Sequence, residues 1–182
     1  MKARLQPRQT PLRWLRAALH FARAQDGAAA LEFAFVSIPF LAILVAILET
    51  ALVFFAQQAL QTATTDSARL IMTGQAQTGG MTASQFQAAV CAKASALFNC
   101  AQLYVNVQKF TSFSSVSQPT PLSNGAFVNN MNYNIGAAGD IVLVQTFYQW
   151  PVFLAPLGFN LSNMNGNNRL LVGTAVFRNE PY

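Results

Sequence analysis

Two acidic side chains lie in a stretch of the chain that is otherwise uncharged. Glu32 stands at the start of an apolar run, residues 33–56, and Glu49 lies near its far end. A carboxylate is costly to bury in hydrocarbon, so an acid in such a run is a candidate for pairing with a cation. A second interpretation is that Glu32 lies at the level of lipid headgroups without a role. Glu49 is placed to reach a headgroup or a partner.

Cys91 and Cys100 are the two cysteines of the chain, and both follow the apolar run. In an oxidising compartment such a pair usually forms a disulfide, which the sequence predicts here. Two cysteines alone cannot complete a zinc site, and the single histidine, His20, precedes the run. We therefore expect no metal site.

The residues after the apolar run carry no catalytic constellation. They include no histidine, no phosphate-binding glycine loop and no cluster of carboxylates. A serine or cysteine nucleophile would lack its base. The sequence predicts that the protein is not an enzyme and uses no cofactor or small-molecule substrate.

The apolar run is long enough to cross a membrane, since a transmembrane helix needs about 20 mostly apolar residues. We predict that residues 28–56 form this helix. Residues 1–26 hold six basic residues against one acid and residues 27–182 hold five of each, so the net charge of +5 precedes the helix. This asymmetry predicts a cytoplasmic N-terminus and an exported C-terminal part, in the periplasm of a bacterium. A nucleic-acid partner is disfavoured because no reader fold accompanies the basic residues.

Helical periodicity predicts two elements around and beyond the membrane segment. Residues 12–25 fit a basic amphipathic helix on an anionic membrane surface, or equally a flexible basic tail. From Ala28 the helical pattern continues to about residue 75, with residues 57–78 as a stalk beyond the bilayer. Pro39 predicts a kink or a locally unwound turn. The glycines that end the pattern are Gly74, Gly79 and Gly80.

The remaining residues, 79–182, are predicted to form a small α+β domain. Thr82 and Gln85 fit a capping box that opens a second helix, residues 83–98. Alternating apolar residues then predict a sheet of about three strands, antiparallel, which packs on this helix. The predicted strands are residues 103–110, 140–150 and 169–178, separated by loops at 111–139 and 151–168.

The order of features around Gly27 resembles a known signal. A basic segment is followed by Gly27, four small or apolar residues, Glu32, the aromatic Phe33 and a long apolar helix. This order resembles the class III signal of type IV pilin-like proteins. The resemblance implies that residues 1–27 are a basic leader peptide, which a prepilin peptidase removes by cutting between Gly27 and Ala28. Glu32 is then fifth in the mature chain. Ala28 stands where many pilins carry Phe or Met.

Further residues narrow the resemblance to TadE-like proteins (TadE or its relative TadF), which are minor pseudopilins of tight-adherence (Flp) pilus systems. Its partners would be a prepilin peptidase, other pilin or pseudopilin subunits, the assembly platform and the inner membrane. Glu32 and Phe33 would set assembly and register. The residues that carry the resemblance are Ala30–Ala34, Pro39, Ile47–Glu49, Gln58, Ala63, Ala68–Arg69 and the ending Phe177–Tyr182.

Two other functions stay open on sequence grounds. The apolar run could be an uncleaved signal anchor that displays an unrelated domain. The exported part could then be a binding module, with a groove formed by the loops at 111–139 and 151–168.

Overall fold

The computed structural model describes residues 27–155 and 158–182. The chain divides into two compact units, Met1–Val45 and Ala46–Tyr182. The predicted amphipathic helix at residues 12–25, and the predicted leader at residues 1–27 apart from Gly27, lie outside the described residues.

The long apolar segment forms one helix, α1, of 45 residues from Ala28 to Met72. The prediction of a helix that starts at Ala28 is confirmed, and the helix is assigned without a break through Pro39. A kink at Pro39 stays a prediction. Of the described residues, α1 alone forms a helix long and apolar enough to cross a membrane. This suggests that the chain is anchored as a single-pass membrane protein.

The second half of α1 belongs to the unit Ala46–Tyr182 and packs into its core. Its buried positions recur every three or four residues, so one face of the helix is covered. Residues 57–72, which the sequence assigns to a stalk, are therefore an integral part of the folded domain. Small buried residues of this segment, such as Ala63 and Ala68, let the helix pack closely against the rest of the domain. The buried residues are Glu49, Val53, Ala56, Leu60, Ala63, Thr64, Ser67, Ala68 and Ile71.

Two short helices follow α1. Helix α2 spans Gln75–Thr78, and α3 spans Ala83–Ala94. The capping box is confirmed: the Thr82 hydroxyl accepts the N–H of Gln85 at 3.3 Å, and the Thr82 N–H donates to Gln85 Oε1 at 2.8 Å. Helix α3 ends four residues before the predicted residue 98, because the chain turns there and enters a short 3-10 helix, Cys100–Gln102.

The sheet has three long antiparallel strands, as the sequence predicts: β1 (Leu103–Phe110), β4 (Ile141–Pro151) and β5 (Asn168–Arg178). Their order in the sheet, which the sequence did not predict, is β1–β4–β5. Strand β4 is central, and its register pairs Tyr148 with Leu103 of β1 and with Leu171 of β5. The predicted α+β class is confirmed. The loop predicted at 111–139 also contains a small hairpin, β2–β3. The strands of this hairpin are β2 Leu122–Ser123 and β3 Ala126–Phe127.

Strand β4 is an almost continuous run of apolar residues because both faces of this central strand are covered. One face, which includes Val144 and Leu171, packs with Leu60 of α1 and Phe86 of α3. The opposite face carries a smaller cluster of Phe147, Met164 and Leu170, with aromatic and aliphatic residues of the β2–β3 region packed against it.

Candidate functional site

The residues of the predicted cleavage and register site lie together at the start of α1. Gly27 immediately precedes the helix, and Ala28 is its first residue. Glu32 follows four residues later, so it lies about one turn along the same face. All of these side chains are exposed, with Phe33 74% exposed. An acid on an exposed apolar helix is available to a cation on another chain.

The exposed surface of α1 is strongly apolar over most of its first seven turns. A folded chain in water would bury such side chains, so their exposure fits contact with lipid or with other helices. The large apolar residues exposed there are Leu31, Phe33, Phe35, Val36, Ile38, Phe40, Leu41, Ile43, Leu44, Val45, Ile47, Leu48, Leu52, Phe54 and Phe55.

Glu49 has a role in the fold that the sequence did not predict. Its side chain is buried, and its Oε1 accepts hydrogen bonds from the backbone N–H groups of Phe153 and, at 3.2 Å, Leu154. Its Oε2 is also buried and has no hydrogen-bond partner among the described residues. The acid therefore ties the loop after β4 to the apolar helix.

Two glutamines of α1 bind the free edge of β5. The Gln57 amide donates to the carbonyl of Val172 at 2.8 Å and accepts its N–H at 3.3 Å. One turn later, Gln61 makes the same pair of bonds with Thr174, at 2.8 and 3.0 Å. A side-chain amide with one donor and one acceptor side can replace a neighbouring strand at such a residue. The edge of β5 is thus covered by a helix rather than by a strand.

The predicted disulfide is confirmed. Cys91 of α3 and Cys100 are bonded, with their Cα atoms 5.6 Å apart. The side chain of Asn99 accepts the N–H of Ala101 and so begins the 3-10 helix that brings Cys100 back toward α3.

The end of the sheet where β4 begins carries a charged and hydrogen-bonded cluster. Lys109 Nζ lies 3.0 Å from Asp140 Oδ2, which also accepts the N–H of Ala137 at 2.7 Å. The hydrogen bond from the Ala137 N–H is the main cause that lowers the pKa of Asp140 below its usual value of 3.8, and the hydrogen bond from Lys109 is the second cause. Burial raises the pKa of the Tyr133 hydroxyl above its usual value of 10.0.

The last residues of the chain pack against the end of the sheet where β4 begins. Asn179 is buried, and its amide donates to the carbonyls of Ile135 and Ala137 at 2.9 and 3.0 Å. The N–H of Glu180 donates to the carbonyl of Met72 at 2.8 Å, which joins the chain ending to the end of α1. Sequence reasoning named Asn179 only within a resemblance, because its hydrogen-bond partners are distant in sequence.

The two long loops touch each other. The N–H of Asn165 donates to the Gly125 carbonyl at 2.8 Å, and its side-chain amide donates to Asn124 at 2.9 Å. A nearby cavity of about 230 Å³ is lined by β1, β4 and the first loop, and by none of residues 151–168. This cavity is therefore not a groove shared by the two loops.

Metal ligands are not clustered in the described ranges 27–155 and 158–182: no group of three or more His, Cys, Asp or Glu side chains could hold an ion. Gln57, Gln61 and Asn179 bind backbone atoms, Glu49 does so through Oε1, and Asp140 binds both a backbone N–H and Lys109. What they do is hold α1, the loop after β4 and the chain ending in place.

No curated protein and no solved structure matches the chain. The family model described as TadE-like protein matches residues 27–69, from the glycine before α1 to the last turn of that helix. This family is associated with tight-adherence pilus systems and is not known for enzymatic activity. The predicted resemblance is confirmed over this segment: residues 27–69 are similar to TadE-like proteins.

Proposed function

We propose that this protein is a pseudopilin that takes part in the biogenesis of a tight-adherence pilus and in adhesion. The observation that carries the proposal is the family match, which begins at Gly27 and extends along α1. The exposed apolar helix supports it, because such a helix can pack against others in a membrane or a fibre.

In this proposal a prepilin peptidase cuts the chain between Gly27 and Ala28. Both residues are exposed, and an added Cβ at Gly27 would meet no atom of the described residues within 4 Å. The peptidase would thus reach a bond that the rest of the described chain does not cover. The cut creates an amine at Ala28, which is charged near neutral pH.

Glu32 then acts as a register device. An unpaired carboxylate in lipid costs several kcal/mol, so a helix carrying Glu32 gains from insertion beside a subunit that supplies a cation. The amine of a neighbouring Ala28 is such a cation. Phe33 and the small residues of the first turn contact that neighbour.

The proposed location follows from the charge distribution. The basic residues before Gly27 stay in the cytoplasm, α1 crosses the inner membrane once, and the α+β domain lies in the periplasm or on the pilus. The disulfide between Cys91 and Cys100 supports this orientation, since such bonds persist in the periplasm. The partners are the peptidase, other pilin subunits and the assembly platform.

Mass spectrometry of the protein purified from its own host tests the processing step. A mature N-terminus at Ala28 is expected. A chain that keeps Met1 while pili still form would contradict the proposal and favour an uncleaved anchor.

A variant series tests the register role. We expect Glu32→Gln to reduce the number of pili while the protein still accumulates in the membrane. Glu180→Gln is the matched control, because Glu180 is an exposed acid outside the unit that contains the start of α1. Wild-type piliation in the Glu32→Gln strain would show that the carboxylate is not needed for assembly.

A further inference from the structure

We propose that the Phe153 loop, residues 152–155, inserts into the lipid bilayer that α1 crosses, and that Glu49 holds it there. This inference rests on the membrane anchoring of α1 in the proposed function. It assigns a second membrane contact to the α+β domain, beside the helix itself. The partner is the lipid of that bilayer.

The contacts of Glu49 supply what a loop in lipid requires. Lipid offers no partners to backbone N–H groups, so irregular backbone at membrane depth must be satisfied by the protein. Glu49 Oε1 accepts the N–H groups of both Phe153 and Leu154. The acid is 8% exposed, so the bonds are shielded from solvent. Glu49 is therefore an internal acceptor for the tip of this loop.

The position of Glu49 on α1 sets the depth of the loop. Apolar side chains beyond it remain exposed, with Leu52, Phe54 and Phe55 at 55%, 67% and 61%. Phe55 lies six residues beyond Glu49, which is about 9 Å along the helix. Lipid that covers Phe55 therefore also covers the level of Glu49. If the membrane-spanning part of α1 instead begins at Ala28, it covers about 30 Å of helix and still ends near Glu49.

The loop has the chemistry of a membrane contact. Phe153 is 75% exposed, the highest value among the large apolar side chains of the described residues. The partly buried Trp150 precedes it, and indole rings favour the boundary between lipid and water. The charged pair Lys109 and Asp140 lies at the opposite end of β4. The end of β4 next to Phe153 carries a charged residue, Arg169, which is the cross-strand neighbour of Trp150.

Nitroxide labels on the full-length protein test this inference. The native cysteines form a disulfide, so a thiol-specific label attaches only to an introduced cysteine. We would label Phe153→Cys in vesicles of phosphatidylethanolamine and phosphatidylglycerol. Collisions with lipid-soluble oxygen and with a water-soluble nickel complex report the environment. Leu41→Cys on α1 is the lipid control, and Phe113→Cys, an exposed phenylalanine near the charged end of the sheet, is the water control.

We expect the label at 153 to prefer oxygen, as the label at 41 does, while the label at 113 prefers nickel. A nickel preference at 153 with oxygen preference at 41 would overturn the loop insertion and leave the anchoring intact. A nickel preference at 41 would overturn the anchoring, and the insertion with it. Protection at 153 from both reagents, with spin–spin broadening that unlabelled protein removes, would show a subunit contact instead.

Glu49→Ala tests the anchoring role of the acid. In this background we expect the label at 153 to shift from oxygen toward nickel, because the loop loses its acceptor. Gln58→Ala, at an exposed residue of the same helix, should leave the label unchanged. An unchanged oxygen preference in Glu49→Ala would remove Glu49 from the proposal.

Discussion

Thr64 of α1 packs against Gly173 of β5 with no space between them for a side chain. A Cβ at residue 173 would overlap the Thr64 hydroxyl and lie 2.6 Å from Thr146 Oγ1. Thr64 donates its single hydroxyl proton to the Leu60 carbonyl at 2.7 Å, so Thr146 donates to Thr64 across a 2.5 Å contact. The glycine lets the helix approach the sheet closely enough for this bond.

Gly173→Ala should therefore destabilise the domain. The added methyl group has to displace either the helix or the two threonines, and such overpacking typically costs about 1–3 kcal/mol. Thermal and denaturant unfolding of the full chain in detergent would measure the loss. We expect a lower midpoint with an unchanged denaturant slope.

The double variant Thr64→Ala with Gly173→Ala is the control for this mechanism. Removing the Thr64 hydroxyl relieves part of the overlap, so the two changes should cost less together than the sum of the single variants. Strict additivity would mean that the clash at residue 173 lies elsewhere.

Gln57 and Gln61 should each protect one residue of β5. Gln57→Met leaves the N–H and carbonyl of Val172 without partners, and Gln61→Met does the same for Thr174. An unsatisfied buried backbone group costs about 1–3 kcal/mol. Hydrogen exchange should accelerate at Val172 alone in the first variant and at Thr174 alone in the second.

Gln58→Met provides the matched control, since Gln58 is exposed on the same helix. It should change neither exchange rate. Equal acceleration at both residues in either variant would indicate that the whole edge of β5 opens, rather than one pair of bonds.

Local patterns predicted most of the fold. The apolar run of α1, the alternation in β1 and the Thr82–Gln85 capping box are signals carried by neighbouring residues, and all three appear in the structure. The disulfide could be predicted because the chain offers a single cysteine pair. The class of the domain followed from the order of these elements.

The contacts that position the candidate site could not be predicted in this way. Glu49 binds a loop 104 residues away, and Gln57 binds a strand 115 residues away. Both are polar residues in or beside an apolar helix, and the groups they bind are backbone atoms that carry no sequence signal. From the sequence alone, Gly173 is expected to weaken strand β5, because glycine has no side chain to pack. Its role becomes clear only from its contact with Thr64.

Removing the disulfide should destabilise the domain without unfolding it. Cys91 and Cys100 close a loop with a sequence separation of 9, for which the loop-closure model gives about 2–3 kcal/mol. Cys91→Ala with Cys100→Ala should lower the unfolding free energy by that amount. The reduced wild-type protein is the matched comparison, and a much larger loss in the alanine variant would instead reflect the cavity left at the buried Cys91.

Asp140 should make stability depend on pH in the acid range. Its pKa is lowered in the folded protein, chiefly by the N–H of Ala137 and then by Lys109. The carboxylate therefore stabilises the fold above the unfolded pKa of 3.8, and this stabilisation is lost as the pH falls through the lower folded value. Wild type should be more stable than Asp140→Asn at neutral pH, and the difference should shrink below about pH 4.

Melting temperatures of both proteins between pH 3 and pH 7 would measure this, with Asp66→Asn as the control for the loss of one exposed negative charge. Lys109→Met should reduce the difference only in part, because the Ala137 bond remains. If the difference in melting temperature between wild type and Asp140→Asn stayed constant down to pH 3, the contribution of Asp140 would come from its packing and not from its negative charge. If instead the ion pair with Lys109 were the main cause of the lowered pKa of Asp140, the effect of Asp140→Asn on the melting temperature would vanish in the Lys109→Met background.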